Sequence, residues 1–125
     1  MASILYLPSE HELERRFRKL LGVAAPKKKF EIFRTAGELS EKLRKPHSNI
    51  RVAVLFTLSH EEIMGILPLG DLMVNVKSIL ILPDDDRDTI VKAHTLRPRY
   101  VTCADCDPID IVTVFKRMID LYDIA

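Results

Sequence analysis

Five short apolar runs recur along this chain at a nearly even pitch, and that pitch restricts its fold more than any other feature. The runs are Ser3–Leu7, Phe30–Phe33, Arg51–Phe56, Ser78–Leu82 and Tyr100–Ala104, so their starts lie 27, 21, 27 and 22 residues apart. Each run has the length of a β-strand. Each interval holds one helix and two short loops, so the pattern predicts a strand–helix unit repeated five times. Hairpins would bring the turns closer together, and a closed α/β barrel needs more units than the chain supplies.

The intervals carry helix-start signals. Ser9-Glu10-His11-Glu12, Thr35-Ala36-Gly37-Glu38 and Ser59-His60-Glu61-Glu62 each place a hydroxyl at the N-cap and a carboxylate three residues on, the capping-box pattern. Asp84-Asp85-Asp86 can cap the fourth helix, with Asp88 adding negative charge near its start. Asp107 is the expected cap of the fifth, with Pro108 at the first helical position and Asp110 behind it. Leu13, Phe17, Leu20 and Leu21 form one apolar stripe, ended by Gly22, and Leu39 and Leu43 form a shorter one, ended by Pro46. Ile63 to Val76 is the least regular stretch, because Pro68 and Gly70 interrupt it.

Polarity orders the strands. Ile4 to Leu7, Val52 to Phe56 and Ile79 to Leu82 are continuously apolar, as strands covered by helices on both faces must be, whereas Glu31 and Thr102 suit the second and fifth runs to the edges. The expected fold is therefore α/β and flavodoxin-like, a doubly wound parallel sheet of five strands in the order 2-1-3-4-5, within three α/β/α layers. One domain is expected over residues 1–125. A ligand of such a sheet binds outside the strand C-termini, beside the first and third strands.

Charge and composition then exclude several classes of function. Basic and acidic residues balance at 19 and 18, and 47% of residues are apolar, so the chain has the makings of a packed core and not of a disordered segment. No apolar run is long enough to span a membrane, and no signal-peptide pattern opens the chain. With two cysteines there is no disulfide framework, which makes a reducing cytoplasm the expected compartment. Pro8-Ser9-Glu10-His11 follows the first strand where a dinucleotide fold places glycines, so no cofactor is expected. Residues 1–51 hold 12 basic and 6 acidic residues and residues 52–125 hold 7 and 12, giving +6 and −5. The basic groups Lys27-Lys28-Lys29 and Arg15, Arg16, Arg18 and Lys19 lack the interleaved aromatics of a nucleic-acid surface and read as a solvated face.

In its layout the chain resembles the receiver domain of bacterial two-component response regulators, the CheY-like family. The resemblance rests on Ile4-Leu5-Tyr6-Leu7 followed at once by a helix, on Phe30-Glu31-Ile32-Phe33-Arg34-Thr35-Ala36-Gly37-Glu38-Leu39, and on Tyr100-Val101-Thr102-Cys103 leading to Asp107-Pro108. It implies a parallel-sheet signalling module. Receivers hold Mg2+ with an acidic pair after the first strand, where this chain has Pro8 and Ser9. The phosphoacceptor aspartate corresponds to Phe56, or to Thr57 if the register slips by one; the switching hydroxyl falls at Pro83 and the lysine at Ala104. The implied protein is a degenerate receiver with no catalytic residue, metal or cofactor.

Three further features have functional readings. Cys103-Ala104-Asp105-Cys106 is a C-x-x-C motif, the alternative being a thiol oxidoreductase, although Asp105 and Asp107 would raise the pKa of Cys106. Glu10, Asp84, Asp85, Asp86, Asp105 and Asp107 are expected near the top of the sheet, where helix capping accounts for nearly all of them. On the last helix Ile111, Val112, Val114, Phe115, Met118, Ile119, Leu121 and Tyr122 face Asp110, Thr113, Lys116, Arg117, Asp120 and Asp123 across the axis. That apolar arc is wider than a helix lying on a sheet requires. In receivers the fourth helix, fifth strand and fifth helix form the usual partner face, so Tyr100, Val114 and Leu121 are the expected contacts of a signalling protein or of a second copy of the chain.

Overall fold

Strands whose every residue is apolar need cover on both sides, and this chain provides it. The computed structural model describes residues 3–46 and 48–122. Strands β1 (Ser3–Tyr6), β2 (Glu31–Phe33), β3 (Val52–Phe56), β4 (Lys77–Leu82) and β5 (Tyr100–Cys103) alternate with helices α1 (Glu12–Ala24), α2 (Ala36–Arg44), α3 (His60–Ile66), α4 (Arg87–Ala93) and α5 (Pro108–Tyr122). The strands form one parallel sheet in the order β2-β1-β3-β4-β5. This is the order read from strand polarity, with β2 and β5 at the edges.

Alternation along each strand divides the core in two. Leu5, Val52, Val54, Phe56, Ile79 and Ile81 face α1 and α5, where Phe17, Leu21, Ile111 and Phe115 complete a cluster. The Phe17 ring lies 5.2 Å from Phe56 and 6.2 Å from Phe115, and Phe30 lies 5.4 Å from Phe115. Ile4, Tyr6, Ala53, Leu55, Leu80 and Leu82 face the other way, against Leu39, Ile63, Ile66 and Ala93.

Local details depart from the sequence reading in several places. The helix after β1 is capped by His11, whose Nδ1 accepts from the Leu13 amide at 3.1 Å, and not by Ser9. The reason is Glu10, whose φ of 53° swings the chain so that Ser9 lies outside the helix and donates to Glu14 instead. Gly22 does not end α1, which continues to Ala24. The interrupted stretch after α3 is a 3-10 helix over Leu67–Met73, with Pro68 in its first turn. A second 3-10 turn, His94–Leu96, follows α4. The Thr35 capping box forms in full. The Ser59 box forms by half, because Glu62 reaches back to the Leu58 amide at 2.7 Å.

Candidate functional site

Parallel strands deliver their C-terminal ends to one rim, and four connections there carry the residues of interest. After β1, Pro8 and Ser9 lead into a knot of hydrogen bonds around Glu14. Its Oε2 accepts from the Ser9 hydroxyl at 2.9 Å and its Oε1 from the Glu10 amide at 2.9 Å. Glu14 is only 1% exposed. Burial pushes its carboxyl pKa up, the bonds from Ser9 and Glu10 oppose that shift, and the charge of Glu62 adds to it. Tyr6 is raised as well, by burial first and then by the charges of Glu62 and Glu14. From the β2 side, Arg34 Nη1 donates to the Leu7 carbonyl at 3.1 Å and ties the edge to this loop.

Glu14 thus acts as a brace, holding Glu10 in its left-handed conformation, which costs a non-glycine residue about 1 kcal/mol or more. Substitution with leucine is expected to lower stability by about 1–2 kcal/mol, since the bonds to Ser9 and Glu10 go unreplaced. Glu14→Gln keeps an acceptor and removes the charge. A carboxyl with a raised folded-state pKa favours the fold below its ordinary range and loses that contribution as pH rises through the raised value. Denaturant unfolding should therefore show Glu14→Gln gaining on the parent as pH rises from the ordinary carboxylate range through the raised value. A difference that stays flat with pH would contradict this role.

At the end of β3, Phe56 is fully buried within the α1–α5 core. Thr57 is also fully buried; its amide and its hydroxyl both donate to the Ile81 carbonyl, at 2.9 Å and 2.7 Å. Pro83 follows β4, and then Asp84 gathers the loop. Its Oδ1 accepts from the Thr89 hydroxyl at 2.7 Å and the Asp86 amide at 3.0 Å, and its Oδ2 lies 2.7 Å from His60 Nε2. These bonds, Thr89 first, hold its carboxyl below the usual range. Asp86 itself makes no side-chain cap to α4.

Ala104 follows β5 within a turn closed by the Cys106 amide donating to the Cys103 carbonyl at 3.0 Å. Both thiols are half-buried and free. Burial pushes both up; around Cys103 the charges of Asp105, Asp85 and Asp84 add to the effect, and around Cys106 those of Asp105 and Asp110 do, against a bond with Thr102. An oxidoreductase needs the opposite shift. Asp107 caps α5 through the Ile109 amide at 3.0 Å.

Among the described residues no three His, Cys, Asp or Glu side chains gather closely enough to hold a metal ion. None of Pro8, Ser9, Phe56 and Thr57 carries a carboxylate. Of the acidic rim residues, Asp107 caps α5 and Asp84 joins His60 of α3 to the β4–α4 loop, whereas Asp86 makes no side-chain cap, so helix capping accounts for fewer of them than their positions suggest. Sequence reasoning missed two groups. Glu14 carries a usable signal, since it shares the three- and four-residue spacing of Phe17 and Leu21 on the apolar stripe. The His60–Asp84 pair carries none, because its partners are 24 residues apart and meet only through the pairing of β3 with β4.

Away from the rim, the face made by α4, β5 and α5 exposes Ile90, Val91, Val101 and Leu121, the last two at 37% and 58%. Tyr100 and Val114 are half-buried and pack against the α1–α5 core. Asp123, expected on the polar side of α5, lies outside the described residues. Among the described residues no helix is long and apolar enough to cross a membrane.

No protein-family model matches the chain, and no curated protein matches its sequence. Solved structures match its fold. A two-component response regulator from Legionella pneumophila aligns with a TM-score of 0.72 at 12% identity, over 96% of this chain and 99% of that one. A CheY-like response regulator receiver domain from Methanospirillum hungatei gives 0.68 at 14%, over 97% and 95%. A pilus assembly-related protein from Burkholderia pseudomallei gives 0.60 at 17%, over 96% and 90%. The chain has the receiver fold.

Proposed function

We propose that this chain is a degenerate receiver, a cytoplasmic protein–protein interaction module of bacterial signal transduction that works without aspartyl phosphorylation and without turnover. One observation carries the reading: Phe56 and Thr57, at the end of β3, are both fully buried and neither is a carboxylate. Acyl phosphate formation needs a carboxylate nucleophile, a cation for the phosphoryl oxygens and open access. Phe56 supplies a core ring, and the Thr57 hydroxyl is committed to the Ile81 carbonyl. Incubation with acetyl phosphate and Mg2+, followed by intact-mass measurement, is expected to leave the chain unmodified. A stable acyl phosphate on any rim carboxylate would refute the reading.

The contacting surface is the α4–β5–α5 face, and a second copy of the chain is the proposed occupant alongside a signalling partner. Val101 and Leu121 support this, being large apolar side chains left exposed beside an edge strand whose outer hydrogen-bonding groups face away from the sheet. Because Val114 packs partly into the core, Leu121→Asp is the cleaner probe. In sedimentation equilibrium the parent chain is expected to dimerise and Leu121→Asp to weaken association at least about tenfold, the loss of roughly 1.4 kcal/mol. A parent chain that stays monomeric at high concentration would remove the homodimer.

A further inference from the structure

We infer that Cys103 and Cys106 are a modification site, closing a reversible disulfide within the turn that joins β5 to α5. The geometry is local and specific. The Cys106 amide donates to the Cys103 carbonyl at 3.0 Å, which makes residues 103–106 a hydrogen-bonded β-turn. Such a turn holds its first and last Cα atoms within about 7 Å, and disulfides span Cα separations of about 4.4–6.8 Å. The backbone therefore already brings the two residues to bonding range. Each side chain is partly exposed, so a small oxidant has access. The turn lies between the last residue of an edge strand and the Asp107 cap of α5, so the bond closes without unpicking a strand or a helix.

The chemistry needs a low-molecular-weight disulfide such as oxidised glutathione. One cysteine thiolate attacks it, forming a protein–glutathione mixed disulfide and releasing one glutathione thiolate. The second cysteine thiolate attacks the protein sulfur of that adduct and releases the other. The two thiol protons pass to the two glutathione thiolates, so two cysteines are oxidised and one glutathione disulfide is reduced to two thiols. The acidic surroundings set the character of the site. Thiols whose pKa is pushed up attack slowly and leave poorly. The bond thus forms slowly and persists, which distinguishes this site from an oxidoreductase, whose disulfide must turn over quickly.

The test uses the whole folded chain, equilibrated with oxidised and reduced glutathione, quenched with acid, alkylated and digested with trypsin. Both cysteines fall in the one peptide Tyr100–Lys116, between cleavage after Arg99 and after Lys116. The expected oxidised peptide has lost two hydrogens, carries no alkyl group or glutathione, and returns to two alkylatable thiols with dithiothreitol. The effective concentration of the second thiol, from the ratio of internal disulfide to mixed disulfide, is expected to be at least roughly tenfold higher folded than in urea. Cys106→Ser should stop at the glutathione adduct of Cys103. A folded-to-urea ratio no greater than one, or folded parent chain that accumulates a glutathione adduct instead of the internal bond, would overturn the inference. The outcome is independent of the acetyl phosphate experiment.

Discussion

Replacing Phe56 with alanine is expected to lower the free energy of unfolding by about 3–5 kcal/mol, the range for removing a fully buried aromatic side chain. Its ring is wholly inaccessible at the junction of β3 with the α1–α5 core and stacks at a tilt on Phe17. Removing it leaves a cavity beneath two helices at once, and the Phe17–Phe56 contact goes with it. Phe56→Leu keeps most of the volume and should cost less than about 1.5 kcal/mol. Urea denaturation followed by circular dichroism measures both. Phe56→Asp tests the functional reading from the other side. It places a carboxylate in an apolar cluster without a partner, so the expected result is loss of cooperative unfolding, not gain of a phosphorylatable aspartate. A stable Phe56→Asp chain that accepts phosphoryl from acetyl phosphate would mean that this position is an accessible rim site and not core.

Gly70→Ala is expected to be the second large loss, about 1–3 kcal/mol, as for overpacking a tight contact. A methyl group at Gly70 would overlap the backbone carbonyl oxygen of Thr95. The obstacle is main chain, so no side chain can swing aside. The two 3-10 segments, Leu67–Met73 and His94–Leu96, which follow α3 and α4, must separate to admit it. Gly65→Ala is the internal control. Nothing lies within 4 Å of a methyl built there, and the residue is in α3, so alanine should stabilise by about 0.5–1 kcal/mol. Equal effects at the two glycines would mean that the close approach to Thr95 is not a constraint.

These residues also show where sequence reasoning worked. Strand content and order were legible because each is set by a property that repeats. Ile4 to Leu7, Val52 to Phe56 and Ile79 to Leu82 are apolar at every position, which only a strand buried on both faces requires. Glu31 and Thr102 marked the edges for the converse reason. The caps at Thr35 and Asp107 were legible since capping is a contact between residues two or three apart. Ser9 has the same local pattern and behaves otherwise, because a left-handed Glu10 and a buried Glu14 outcompete it.

What the sequence determined by itself is thus the parallel five-stranded sheet, its order, and the absence of a carboxylate at Phe56 and Thr57, all properties of residue type and spacing. Only the tertiary structure decided that Glu14 braces the first rim loop, that Asp84 binds His60 across 24 residues, that Gly70 is fixed by Thr95, and that Val114 belongs partly to the core while Leu121 does not. Each of these depends on which distant segments meet. Helical and strand periodicity reports which face of an element is apolar, but only the packed chain determines how far that face is covered and which polar groups are enclosed with it.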